Sequence, residues 1–586
     1  MSCREAGTIV CESLSRLGVS CVFGLPGSQN IRLFEALRRS SLRTVPATHE
    51  LAAAFMANGY ARASGRPGVL VTGPGPGFAW TLPGLTEAFL DSVPLLYIVQ
   101  ESVSPRGRKF GLQQIDQNAL ARPVVKSVRN VTQVSAVGEA VACAHEECQS
   151  GEPGPVLVQI AGRLLNGQQP EVQGPPKTGT SADPEADSTP AAESVQHALD
   201  AIAASNRALL YCGQGANSAA EAVRELAEVL HAPVITTRSA RGLLPENHPL
   251  SIVFNPDGDS AASLNRLIDR SDLVLALGCK FSHNGAAGFR LRIPREKLIH
   301  VDASREVLEA NYPARIAIES KVAVFLAEVL KDRKSLQRRP IGWEVDEIAR
   351  WRRLLPAEAA KAMVEPKFQG IAPPTAAAFF AALREAMPAK GCLVTDSGLH
   401  QEMARVHFRV FSACGFIAPS DFQSMGFGLP AAIGAKLANP DRPVVAIVGD
   451  GGFAMSGMEL LTAVRERTPL TVIVFNDCAL GQIRLHQISA FGVGHATSLV
   501  NPDFGLFAAA AGIRYSLLAD DPTEILKRAI RGNEVQLVEV RLHDSPAYRR
   551  RRATALARQA GQRILGPGLA DAIRRRLRAR RSPGDD

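Results

Sequence analysis

The chain has 586 residues, 46% apolar and 21% charged, with a formal net charge of +9. This composition excludes a collagenous, coiled-coil or disordered chain, and the length allows three or four domains with sizeable cores. The excess charge lies wholly in residues 546–586, where twelve Arg and three Asp sum to +9; residues 1–545 are net neutral, so the basic balance does not mark a polyanion-binding body.

The N-terminal stretch MSCREAGTIVCESLSRLGV reads as an amphipathic helix, not a secretory leader, because charges interrupt it. A strand over Cys21–Phe23 runs into the turn Gly24–Ser28, and a helix follows over Ile31–Arg38. Gly68–Thr72, Pro94–Gln100 and Pro155–Ile160 are apolar runs of strand length. Residues 167–192 are rich in Pro, Gly, Ser and acidic side chains and read as a linker. Strands are then expected at Ala208–Gly215, Pro233–Thr237, Asp272–Gly278 and Lys297–Asp302. A charged, Trp-containing helical stretch over 331–373 makes the next connection. Further strands are expected at Cys392–Thr395, Val444–Val448, Thr471–Phe475 and Gln536–Val540.

Continuous apolar strands alternating with helices predict parallel sheets covered on both faces. The expected fold is therefore α/β, with three doubly wound parallel-sheet domains at 1–166, 193–330 and 374–545, linkers at 167–192 and 331–373, and a basic tail at 546–586. Ten scattered cysteines without a CxxC pair read as reduced thiols of a cytoplasmic protein. No apolar stretch reaches 18 residues without a charge or a Gly or Pro, so no membrane partner is expected.

The chemistry concentrates in the third unit. The strand Pro443–Val448 ends in Gly449-Asp450-Gly451-Gly452, and the strand Leu470–Phe475 ends in Asn476-Asp477. A right-handed crossover places both ends at one edge of a sheet, where ligands of open α/β folds bind. Glycines let a backbone approach closely and aim N–H groups at an anion. Two carboxylates with carbonyl oxygens suit Mg²⁺, which also takes substrate phosphates. The residues point to a Mg²⁺-diphosphate site; on spacing alone, a strand–helix turn with solvated Asp is the alternative.

The block GDGG…ND resembles the metal-diphosphate motif of thiamine-diphosphate-dependent enzymes. Asp396-Ser-Gly-Leu-His-Gln401, Ser424-Met-Gly-Phe-Gly-Leu-Pro430, Thr48-His49-Glu50 and Asp91-Ser-Val-Pro94 extend the resemblance over nearly the whole chain. The group is that of acetolactate synthase, benzoylformate decarboxylase and benzaldehyde lyase. The resemblance implies thiamine diphosphate and Mg²⁺ as cofactors. Asp450, Asp477 and the carbonyl of Ala479 would hold the metal; the family more often has Asn at the place of Asp477. Gly449, Gly451 and Gly452 would line the diphosphate, and His400 and Gln401 would meet it. Gly398 would offer its carbonyl to the pyrimidine amine, and Met425 would wedge the two rings apart. Glu50, otherwise simply an acid favoured at a helix N-terminus, would control the pyrimidine tautomer that takes the thiazolium proton.

In this family Glu50 and the GDGG region of one centre come from different subunits, which implies a homodimer or homotetramer. Ser28, Gln113 and Leu480 match substrate-facing positions of relatives, while Leu112 departs from the acetolactate synthase pattern. His283 lies where the central domain approaches the site in relatives. The central domain resembles one that binds FAD, with Gly213-Gln214-Gly215 as a phosphate turn, so FAD is a further candidate. The implied activity is decarboxylation or carboligation of 2-oxo acids or aldehydes, acetolactate synthase-like. Alternatives are enzymes like benzoylformate decarboxylase, benzaldehyde lyase, 2-hydroxyacyl-CoA lyase or pyruvate oxidase, and a non-catalytic homologue. No nucleic-acid partner is expected.

Overall fold

The continuous apolar runs become the central strands of three sheets. A computed structural model describes residues 5–102, 110–165, 190–253, 260–337, 342–519 and 521–565. The linker 167–192 lies almost wholly outside them, as does the tail beyond 565. In the first sheet, β1 is Cys21–Gly24, β2 Arg43–Pro46, β3 Gly68–Thr72, β4 Leu95–Gln100, β5 Ser127–Val131 and β6 Pro155–Ile160. Their order is β2-β1-β3-β4-β6-β5, all parallel. Strands β3, β4 and β6 are buried along their whole length because helices cover both faces.

The second sheet has β7 Ala208–Cys212, β8 Val234–Thr236, β9 Ser251–Ile252, β10 Leu273–Leu277, β11 Leu298–Asp302 and β12 Ile316–Glu319, in the order β12-β11-β10-β7-β8-β9. Residues 331–373 do not simply leave this sheet: Trp343, Ile348, Trp351 and Leu355 return into its core. Trp343 donates its indole N–H to the Ala208 carbonyl at 2.8 Å, and the Arg207 guanidinium stacks over its ring at 4.0 Å.

The third sheet has β13 Lys367–Phe368, β14 Cys392–Thr395, β15 Phe416–Ile417, β16 Val444–Gly449, β17 Thr471–Asn476, β18 Arg514–Leu517 and β19 Gln536–His543. The order is β13-β19-β17-β16-β14-β15, with β18 also pairing β19. All pairs are parallel except β13 with β19. Three parallel α/β sheets are thus the architecture of the chain, with one short antiparallel edge that the sequence pattern does not show.

The first and third sheets share one core. The helix Glu50–Ser64 crosses the helix Gly428–Ala438 with backbones in contact. A Cβ on Gly59 would stand 2.0 Å from the Ala431 carbonyl oxygen, and one on Gly434 would stand 1.9 Å from that of Met56. Phe55 meets Phe427 edge to face at 5.3 Å. At the C-terminus, the helix Pro546–Leu565 buries Tyr548 and Ala555, and Gln559 donates to the Phe491 carbonyl. Arg549–Arg552 and Arg558 are exposed, so this part of the basic tail docks through its few apolar side chains. Among the described residues no helix is long and apolar enough to cross a membrane.

Candidate active site

Strands β16 and β17 are parallel neighbours, with Gly449 opposite Phe475, so their carboxyl ends emerge side by side. A helix starts on Asp450 itself, and the loop after Asn476 leads into the helix Gly481–Phe491. Asp450 is 2% exposed. Its carboxylate accepts the Gly451 N–H at 2.9 Å and the Asn501 side-chain amide at 2.8 Å, and the amides of Cys478 and Ala479 also point at it. Burial raises the Asp450 carboxyl above its ordinary range. Burial and the facing Asp450 push Asp477 up to about 7. A cation between the two would relieve both penalties.

Leu480 N–H donates to Thr497, and Leu499 N–H donates to Cys478, both at 2.8 Å. These bonds flank Ala479 and leave its own carbonyl outside the ladder. Among the described residues no group of three or more His, Cys, Asp or Glu side chains suits a metal. Two carboxylates and a carbonyl form a hard oxygen set, which fits Mg²⁺ held jointly with a diphosphate and does not suit a soft metal.

His400 lies beside this loop, in the second position of the helix Leu399–His407. Its Nε2 is buried and has no hydrogen-bond partner among the described residues, and burial lowers its pKa to about 4, so the imidazole is neutral near pH 7. A Cβ on Gly449 would stand 3.3 Å from this ring, and one on Gly398 would stand 2.9 Å from it. An orphaned ring nitrogen beside glycine backbone fits a phosphate oxygen when that nitrogen carries a hydrogen. Gln401, 1% exposed, donates to the Pro419 carbonyl at 2.8 Å and so braces the segment that leads to Met425. A Cβ on Gly451 would stand 2.8 Å from Leu480 Cδ2 and 3.4 Å from Met425 Cε; one on Gly452 would stand 2.4 Å from Asp396 Oδ2. The structure thus brings together Gly398, His400, Met425, Gly449, Asp450, Gly451, Gly452, Asp477, Ala479 and Leu480.

A second cluster forms on the first sheet. Glu50 is the first residue of its helix, capped by His49, whose Nδ1 accepts the Leu51 N–H at 3.1 Å. The Glu50 carboxylate is half-buried and makes no hydrogen bond or ion pair among the described residues. Its Oε1 lies 3.2 Å from where a Cβ on Gly77 would stand. Gln113 adopts φ +59°; its side-chain oxygen accepts from Gln29 at 2.6 Å and its carbonyl accepts from Ser102 at 2.7 Å. Ser28, exposed, sits beside Gln29. Buried Gln117 accepts the Gly75 N–H at 2.9 Å and donates to Gln100 and Gln159. Glu50 and Gln113 therefore lie against one loop, Gly73–Gly77, and Ser28 neighbours the Gln29 that bonds Gln113. No hydrogen bond or ion pair among the described residues joins them to the His400–Asp450 cluster of the same chain. His283 lies elsewhere, edge to face with Phe289 at 5.7 Å.

Sequence reading missed Asn501 and the buried role of Asp396. Asn501 donates to both Asp450 and Asn476, and only its place before Pro502 marks it. Asp396 ends a buried strand, as Asp450 does, and accepts the amides of Ser397 and Gly426. Separately, a cavity of about 560 Å³ opens where the second sheet meets the other two, lined by Gly213, Gly215, Gly278, Lys280, Asp302 and Ser420.

Residues 4–120 match the N-terminal TPP binding domain of thiamine pyrophosphate enzymes, 195–329 the central domain and 396–540 the C-terminal TPP binding domain. The chain belongs to the thiamine pyrophosphate enzyme family, with the carbon–carbon bond-forming and bond-breaking chemistry of its carboligase and lyase members. It is 32% identical to a probable 2-ketoarginine decarboxylase of Pseudomonas aeruginosa, over 92% of this chain and 94% of that one. It is 30% identical to the acetolactate synthase isozyme 1 large subunit of Escherichia coli, over 90% of this chain and 92% of that one. A probable acetolactate synthase large subunit of Methanocaldococcus jannaschii is 28% identical, over 91% and 90%.

Proposed function

We propose that the protein is a Mg²⁺-dependent carboligase or decarboxylase of 2-oxo acids, closest in activity to acetolactate synthase. The observation that carries this reading is the pairing of Asp450 with Asp477 at adjacent strand ends beside the unpartnered Nε2 of His400. Thiamine diphosphate, when bound, supplies the carbanion chemistry. Asp450, Asp477 and the Ala479 carbonyl would hold Mg²⁺ beside the diphosphate, with Gly449, Gly451 and Gly452 giving the backbone room to approach. Met425 and Leu480 converge over Gly451 and shape the apolar wall. Glu50, with no side-chain partner among the described residues, holds and returns a proton at its carboxylate oxygen. Gln113 and Ser28 face the substrate from the loops beside Gly75.

Among the described residues no hydrogen bond or ion pair joins the two clusters of one chain, and Trp80, Met455 and Met458 are 56%, 63% and 55% exposed. Both facts support an assembly of at least two copies, in which Glu50 of one copy serves the Asp450 region of the other. The 560 Å³ cavity supports an adenine nucleotide such as FAD, with the Gly213–Gly215 turn at the end of β7 and Asp302 at the end of β11. Flavin absorbance of the purified protein tests that part. The relative named 2-ketoarginine decarboxylase favours simple decarboxylation as the second reading.

The deciding experiment supplies thiamine diphosphate, Mg²⁺ and a panel of 2-oxo acids, pyruvate and 2-ketoarginine included, and detects CO₂ and acyloin by mass. Glu50→Gln should lower turnover by about 10²–10⁴-fold, the usual reach of general acid–base catalysis. Equal turnover by wild type and variant, or none by either, overturns the reading.

A further inference from the structure

Met425 is suspended between two anchored amides. On its C-terminal side, the Gly426 N–H donates to buried Asp396 at 3.0 Å. On its N-terminal side, the anchors come from the other domain, off the helix Pro76–Leu90. Asp91, the cap of that helix, accepts the N–H groups of Ser420 and Asp421, each at 2.9 Å. Glu87, one turn earlier, accepts the Ser424 N–H at 2.9 Å through Oε2. Three backbone N–H groups of the segment before Met425, those of Ser420, Asp421 and Ser424, therefore end on two carboxyl groups.

The two acids are not equivalent. Asp91 pairs with Arg62, whose remaining N–H groups go to Asn58 and the Ala418 carbonyl. Glu87 is fully buried, and among the described residues it forms no ion pair and its Oε1 receives no donor. A second ionised carboxylate there would face Asp91 with Arg62, already paired to Asp91, as the cation that offsets it. Burial and the neighbouring Asp91 raise the Glu87 pKa to about 8, and the two carboxyl groups lie within hydrogen-bonding reach. The other charged groups around the pair are Arg62 from the crossing helix and Asp421 from the clamped segment. Asp421 is itself hydrogen-bonded by Ser282 and Asn284 and faces Lys280.

We propose that Glu87 is a positioning residue for the cofactor: kept as the neutral acid, it donates from Oε1 to Asp91 and accepts the Ser424 N–H at Oε2, and so sets the place of Met425. Loss of that proton puts two buried negative charges side by side and loosens the clamp. The inference rests on the reading of Met425 as a cofactor contact.

The test is the affinity of the full-length protein for thiamine diphosphate with Mg²⁺, by calorimetry from pH 6.5 to 9.5, with melting curves as a folding check. Glu87→Gln keeps both hydrogen bonds, its amide N–H₂ replacing the acid O–H. It should bind as wild type at pH 7 and escape the weakening of about tenfold that wild type shows by pH 9.5, a change of about 1.4 kcal/mol. Glu87→Ala should be weakened about tenfold already at pH 7, since the Ser424 amide loses its acceptor. The inference is overturned by a Glu87→Gln variant that keeps the alkaline weakening, by a wild type that shows none, or by a folded Glu87→Ala variant that binds as wild type. Should Glu87→Ala fail to fold, the Glu87→Gln profile still decides. A wild type that binds no thiamine diphosphate, or a Met425→Ala variant that binds as tightly as wild type, overturns the reading of the site and this inference with it.

Discussion

Glu459 reaches from the third domain to Thr48 in the first, two residues before Glu50. Its Oε1 accepts both the backbone N–H of Thr48, at 3.0 Å, and the Thr48 hydroxyl. Its Oε2 accepts the Thr462 hydroxyl at 2.6 Å, and the side chain is 1% exposed. The acid that follows the Asp450 helix thus holds the turn that presents Glu50 of the same chain. Glu459→Ala should lower unfolding stability by at least about 1–3 kcal/mol, the cost of leaving even one buried donor without its acceptor. It should also lower turnover, with Glu459→Gln intermediate in both. Denaturant unfolding and a steady-state assay check this, and an unchanged Glu459→Ala protein would refute the strut.

The neutral state of His400 has a pH signature. Its folded pKa near 4 lies below the ordinary imidazole value of 6.5. Between those values the unfolded chain binds a proton that folded His400 refuses. The contribution is complete above pH 6.5 and is lost as pH falls toward 4, by up to about 3 kcal/mol. Urea titrations of wild type and His400→Asn at pH 7 and pH 5 should show a smaller loss in the variant. Parallel losses would mean that His400 is protonated in the folded protein.

Chelation of Mg²⁺ should weaken thiamine diphosphate binding by at least about tenfold, the scale on which altered metal sites lose affinity. Asp450→Ala should remove the metal dependence. Asp477→Asn should keep it, because an amide oxygen replaces a carboxylate oxygen at the same place. Calorimetry with and without EDTA measures both, and a metal-independent wild type would contradict the oxygen site.

Gly75 has φ +65° and ψ −110°, which only glycine adopts readily, and a Cβ there would stand 2.4 Å from the Gln113 carbonyl oxygen. Gly75→Ala should cost about 1–3 kcal/mol of stability. It should also raise KM for the substrate more than the Kd for thiamine diphosphate, because the displaced loop carries Gln113. Equal effects on both constants would separate Gln113 from the substrate.

The central strands were legible because they are buried on both faces: β4 and β16 read as unbroken apolar runs. The edge strands β2, β5, β12 and β18 were not, since their half-exposed faces mix Arg, Asn, Glu and Ser with apolar residues. The strand-end acids Asp450 and Asp477 stood out because glycine and carboxylate directly after a buried strand form a local signal. Glu87 and Glu459 carried none. Each is an acid within a helical stretch, where a solvated face is the ordinary expectation.

The sequence by itself determined where three sheets form and which of their ends carries an oxygen-rich, glycine-lined site, because strand burial and loop chemistry are written in neighbouring residues. The tertiary structure alone decided what holds that site in place. Thr48 on Glu459, Ser424 on Glu87 and Asp450 on Asn501 are contacts between residues 411, 337 and 51 positions apart. Such pairings follow from how the sheets and crossing helices pack, and no local periodicity encodes them.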